Sequence, residues 1–147
     1  MIVRPERAAD IDAIRTLTET ASRTAPHADG SEPLFIDRLR AAGALTLSLV
    51  AEADGAVVGH VAFSPVSVSD GSVGWYGLGP ISVDPARQGQ GIGGALVHAG
   101  MERLKARGAA GCVLLGDPAY YARFGFAPDP ALTLDGAPPE YFMRVAF

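Results

Sequence analysis

Apolar and polar residues change rhythm along this chain, and the rhythm lays out its elements. "MIVR" reads as a short strand over Met1 to Arg4. Ile11, Ile14, Leu17 and Ala21 then recur at helical spacing behind Asp10 and Asp12, either of which can cap a helix. After the polar, proline-bounded loop "TAPHADGSEP", a second helix is predicted near Leu34 to Ala42, with Leu39 facing inward. From Ala44 to Val83 the period drops to two, with breaks at Asp54-Gly55 and Asp70-Gly71. Such pairs tolerate the positive φ of tight hairpin turns, so three antiparallel strands are expected. Ile92 to Arg107 predicts a long helix stopped by Gly108. "GCVLLG" predicts a short apolar strand and "PAYYARF" a short helix ended at Gly125, with final strands at "LTL" and "YFMRVAF". The order β-α-α-β-β-β-α-β-α-β-β predicts an α+β fold around one mostly antiparallel sheet. With 147 residues and no repeat or linker, a single domain spanning 1–147 is expected.

Composition narrows the class. Hydrophobic content of 48% with 19% charged residues is ordinary for a soluble globular chain. Glu52 and Asp54 interrupt the longest apolar run, and the start is charged from Arg4 onward. No membrane span or signal peptide is therefore expected, and the cytoplasm is the expected location. Cys112 is the only cysteine, which excludes an internal disulfide and a cysteine-based zinc cluster, and no metal is expected. A net charge of −4 argues against nucleic acid as a partner. The distribution matters more than the sum. From Arg87 to Arg123 five basic residues face two acidic ones, a window of +3, while the rest of the chain carries −7. Positive charge gathered around a glycine-rich loop suits a small anion there, although a solvated basic helix end gives the same count.

The loop itself is "DPARQGQGIGGALV", Asp84 to Val97. Helix starts offer unpaired N–H groups and partial positive charge, and glycines let an anion approach the backbone. Phosphate binding explains Gly89, Gly91, Gly93 and Gly94 better than a plain flexible turn. A nucleotide triphosphatase loop fails, because Ala95 and Leu96 stand where Lys and Ser or Thr are needed. The dinucleotide pattern G-x-G-x-x-G fits Gly89, Gly91 and Gly94, with Asp117 as a ribose acid. Against it, "DPARQ" separates the strand from the glycines, and too little chain follows for a doubly wound sheet. It stays an alternative.

Upstream, Pro80 cannot donate to a neighbouring strand, and Gly79 beside it points to a bulge in the strand "GLGPISV". Such a bulge splays the strand from "GCVLLG" and leaves backbone groups for an extended, amide-rich ligand. Sheet curvature alone is the competing explanation.

"ISVDPARQGQGIGGAL" resembles the acetyl-CoA loop of the GNAT superfamily of N-acetyltransferases, Q/R-x-x-G-x-G/A, at Gln88, Gly91 and Gly93. "YYARFGF" resembles that family's Y-x-x-x-G-F element at Tyr121, Gly125 and Phe126. The element order is similar too, and the likeness is specific from Leu78 to Phe126, in a subgroup known only as predicted acetyltransferases. It implies a GNAT-like domain of about six to seven strands splayed at a bulge and flanked by about four helices. It also implies transfer of acetyl from acetyl-CoA to a primary amine. By this resemblance, the diphosphate would rest on the N–H groups of Gly89 to Gly94, with Gln88 and Ile92 in the same loop. Arg87 would meet a phosphate, and the pantetheine and the oxyanion would meet Ile81 and Val83. Tyr121 would be the general acid, since a phenol of pKa about 10 stays protonated at neutral pH; Tyr120 is its rival.

Asp117-Pro118 departs from relatives that place an asparagine there to hold the pantetheine. The base is not evident: Glu32, His60, Asp84, Asp117 or a water chain would serve, although each side chain also has an ordinary structural use. Cys112 reads as a core residue, which favours direct transfer over an acyl-enzyme. Trp75 and Tyr76 read as core more readily than as pocket. The acceptor is an amine, small-molecule or peptide, met by variable loops, and a homodimer is compatible with the family. A second class of function is a non-catalytic acyl-CoA-binding module.

Overall fold

The structure, a computed structural model, describes residues 1–24, 30–68, 71–132 and 138–147. Strand β1 (Ile2–Pro5) leads through a 3-10 turn, Ala8–Asp10, into helix α1 (Ile11–Thr24), followed by α2 (Glu32–Ala41). Strands β2 (Leu47–Ala53), β3 (Ala56–Pro65) and β4 (Trp75–Val83) precede the long helix α3 (Ile92–Ala106). Strand β5 (Gly111–Leu115), the one-turn helix α4 (Pro118–Tyr121), β6 (Ala127–Pro128) and β7 (Phe142–Ala146) complete the order. The seven strands form one sheet, β1-β2-β3-β4-β5-β7-β6. Its β4–β5 pair is parallel, and the β1–β2, β2–β3, β5–β7 and β6–β7 pairs are antiparallel. This is the expected α+β architecture, with seven strands and four α-helices among the described residues.

Local chemistry accounts for the boundaries. Asp54 and Gly55 both take positive φ, 53° and 76°, so two residues suffice to turn β2 into β3. At α3, the Gly108 N–H donates to the Lys105 carbonyl at 3.0 Å with φ of 80°, which closes the helix. Two expectations differ, and two others fall wholly or partly outside the described residues. In α2 the residue that reaches the core is Ile36, 2% exposed, whereas Leu39 is only half-buried. The penultimate strand is the two-residue Ala127–Pro128, which has too few positions to show alternation. Of the "LTL" segment, Leu132 lies in a bend and Thr133 and Leu134 fall outside the described residues. Of the Asp70-Gly71 pair, Asp70 also falls outside them, as does most of the loop before α2.

The chain packs as two compact units, Met1–Ser64 with Gly79–Gly100, and Pro65–Leu78 with Met101–Phe147. In the first, Ile14, Ile36 and Val50 form a core cluster beneath α1 and α2, joined by Val57. Its other sheet face lies against α3. A side chain at Gly59 would meet Ile92 and Leu96, and one at Gly100 would run into the Phe63 ring. In the second unit Trp75, Val113 and Leu132 cluster with Val66, Val68 and Phe142, so Trp75 is a core residue there.

Gly100 offers a direct test of this packing. Glycine to alanine inside a helix normally stabilises by about 1 kcal/mol. Here the added methyl meets the wholly buried Phe63, and overpacking costs about 1–3 kcal/mol, so the clash wins. Gly100→Ala is expected to melt lower than the parent protein in a thermal scan, and an increase in Tm would contradict the close approach.

Candidate active site

Within the first unit, the segment after β4 is built as a bent lead-in to a helix start. The Asp84 N–H donates to the Val58 carbonyl at 2.9 Å, which pins the end of β4 to β3. The Asp84 carboxylate accepts the Ala86 N–H at 3.0 Å and folds Pro85–Arg87 into a 3-10 turn. Gln88 is extended, Gly89 and Gly91 both have φ of 80°, and α3 begins at Ile92. Side chains would be strained at those two glycines, yet a Cβ on either would touch nothing within 4 Å. The backbone there is bare on its outer side. Ile92 is 4% exposed and lies close to Gly59, so it anchors the helix start against β3.

The first turn of α3 therefore presents its N–H groups outward. The Ala95 N–H bonds to the Gly91 carbonyl at 3.0 Å, and those before it belong to the turn that no helical carbonyl reaches. Gly93 and Gly94 lie in this turn and are half-buried, whereas Gln88, Gly89 and Gly91 are exposed. The donor set suits a diphosphate: neutral N–H groups, a helix dipole and no side chain in the way. Arg87 adds a cation, but its Nη2 donates to Asp54 at the β2–β3 turn, 3.2 Å away. That contact uses one of five guanidinium donors.

In β4 itself, pairing with β5 covers Trp75–Gly77 against Gly111–Val113 and stops before Gly79, which has φ of 141°. Ile81 and Val83 lie beyond that ladder, half-buried, on either side of the buried Ser82. The parallel ladder with β5 thus ends at Gly77, two residues short of the Gly79-Pro80 step where the sequence predicts a bulge.

The second unit carries Tyr121. Asp117 caps α4 by accepting the Ala119 N–H at 2.9 Å, and its carbonyl accepts the Tyr121 N–H at 3.0 Å. The Tyr121 ring meets Tyr120 edge-on at 5.0 Å and Phe126 at 6.1 Å between centroids. Burial, with Tyr120 beside it, pushes the Tyr121 hydroxyl up to about 12. Its neighbour Tyr120 instead stacks under the Arg123 guanidinium at 4.5 Å. Cys112 is wholly buried in β5, and burial raises its thiol to about 12.

The four side chains considered as bases all have other partners. Asp84 and Asp117 cap turns, and Glu32 accepts the Ser22 hydroxyl at 3.2 Å. His60 is 0% exposed, with Nε2 2.7 Å from Ser48 Oγ. Ser48 donates to Glu6, whose carboxylate also accepts Arg40 at 2.9 Å. Since the single serine proton goes to the carboxylate, Nε2 of His60 carries the other proton, and burial keeps the ring neutral, with its pKa lowered to about 4. This network was invisible in the sequence because its members, at positions 6, 40, 48 and 60, meet only in the fold.

Comparison with known proteins agrees with this geometry. The profile of the Acetyltransferase (GNAT) family matches residues 11–126. The uncharacterized N-acetyltransferase YhbS of Escherichia coli K12 is 43% identical over 127 residues, 86% of this chain and 73% of that protein. A GNAT family acetyltransferase of Brucella melitensis, solved with acetyl-CoA, superposes with a TM-score of 0.87 at 51% identity, over 99% of this chain and 87% of that one. YhbS solved with CoA gives a TM-score of 0.82 at 35% identity, over 99% and 80%. Glycine loop, sheet order and sequence likeness converge: this chain belongs to the GNAT family of acetyltransferases.

Proposed function

We propose that the protein is an acetyl-CoA-dependent N-acetyltransferase acting on a primary amine by direct attack. The observation that carries this reading is the bare backbone of Gly89 and Gly91 at the start of α3. The N–H groups from Gly89 to Gly94 bind the diphosphate, with Gln88 and Ile92 shaping the loop, and Arg87 adds a contact from its place beside Asp54. Backbone groups of Ile81 and Val83, outside the β5 ladder, hold the pantetheine and meet the carbonyl oxygen as charge develops on it. Tyr121 gives its proton to the departing thiolate, a task suited to a phenol held protonated by burial. The attacking amine replaces sulfur at the acetyl carbon, and its surplus proton leaves to solvent. The burial of Cys112 favours this single displacement over an acyl-enzyme. A dinucleotide is disfavoured, since the glycines follow a 3-10 turn rather than a strand and the sheet is mostly antiparallel.

Thermal shift and turnover test the proposal together. Acetyl-CoA at a hundred times its Kd stabilises by about 2.7 kcal/mol, so Tm is expected to rise, while NAD leaves it unchanged. A panel of primary amines is then assayed for acetyl-CoA-dependent thiol release. Tight binding without release from any amine would favour the non-catalytic module.

A further inference from the structure

The ring of Tyr121 lies in a slot, one wall of which is a missing side chain. A Cβ at Gly116, just after β5, would stand 2.5 Å from Tyr121 Cε2 and 2.8 Å from Cδ2. Carbon atoms pack at about 3.5–4.0 Å, so ring and methyl cannot share that space. Gly116 is not among the positive-φ glycines, so its backbone accepts alanine; what demands glycine is the space, taken first by the ring and then by Leu114 Cδ1, 3.1 Å from the same Cβ. Both backbones are tied in place, so only the ring can give. The Gly116 N–H donates to the Tyr141 carbonyl at 3.0 Å, directly beyond the last β5–β7 pair, Leu115 with Phe142. The Tyr121 N–H is tied to the Asp117 carbonyl at 3.0 Å. Tyr120 and Phe126 stand against the ring from other sides.

We propose that Gly116 is a positioning residue for acetyl transfer: by lacking a side chain it seats the Tyr121 ring against the end of β5 and sets the direction of the phenol. This rests on the reading of Tyr121 as the acid. A methyl at Gly116 turns the ring about its side-chain bonds, moving the oxygen by the kind of displacement that costs about ten- to a hundredfold in rate.

The experiment is a double-mutant cycle read in kcat, in the KM for acetyl-CoA and in Tm. Gly116→Ala is expected to lower kcat about tenfold or more while KM stays within about twofold. In a Tyr121→Phe background the same change is expected to lower Tm as much as before, because the ring is still displaced, yet to leave kcat where it was. Equal losses of kcat in both backgrounds, or none in the first, would overturn the proposal while sparing the acid. Full activity of Tyr121→Phe alone would overturn both. Should Gly116→Ala fail to fold, Phe126→Leu removes another wall of the slot. It must then lower kcat with Tyr121 present and leave kcat unchanged in the Tyr121→Phe background, where the ring has no hydroxyl to aim; equal losses in both would overturn the seating.

Discussion

Tyr121→Phe is expected to cut turnover by about a hundredfold or more, the usual worth of a positioned acid, while changing acetyl-CoA affinity by no more than about twofold. Phenylalanine keeps the ring that Tyr120, Phe124 and Phe126 surround and removes only the oxygen. A loss confined to kcat therefore reports proton donation rather than packing. The pH profile adds a signed test. With the phenol at about 12, the acid stays loaded across the workable alkaline range. Rates in the parent protein are expected to rise as the amine loses its proton and then hold level up to about pH 10, with no descending limb. Steady-state kinetics on both proteins decide the matter, and an unimpaired variant would remove Tyr121 from the mechanism.

The second large effect concerns acid stability. His60 folds as a neutral ring whose pKa is lowered to about 4 from an ordinary 6.5, so the unfolded chain takes up this proton first. Stability is therefore complete above about pH 6.5 and drains away as pH falls towards 4, by about 3 kcal/mol in all. His60→Gln keeps an N–H for Ser48 but cannot ionise. Urea unfolding between pH 7.5 and 4.5, values set by that window of about 4 to 6.5, is expected to be distinctly flatter for the variant. Identical slopes would mean that His60 is not the sensor. The Asp10 carboxyl acts in a separate window: the hydrogen bond from Arg4 holds it at about 2, so its contribution is lost only below its ordinary 3.8.

Much of the fold was legible because it depends on neighbours in sequence. Asp54-Gly55, Gly108 and Gly125 announce positive φ by their type, and α3 announces itself by length. The ends of α2 were near, but its inner face was not: in a ten-residue helix with four charges, Leu39 and Ile36 compete, and packing on Ile14 and Val50 decides for Ile36. The stretch from Arg87 to Gly94 was legible as a glycine-rich lead-in to a helix, since positive φ and a helix start are local properties. The contact of Arg87 with Asp54 was not, because it joins positions far apart along the chain. Gly116 stood in plain sight beside Asp117-Pro118 and carried no signal, for its role is defined by a ring five residues later.

The two margins of the sheet have a consequence of their own. On one side β1 offers four residues and closes with Pro5; on the other β6 offers two and closes with Pro128. Short borders that end in proline give a foreign strand few hydrogen bonds to capture, a common guard against runaway ribbon growth. Copies of this enzyme that meet in solution would thus join through helices and loops rather than by extending one another's sheets.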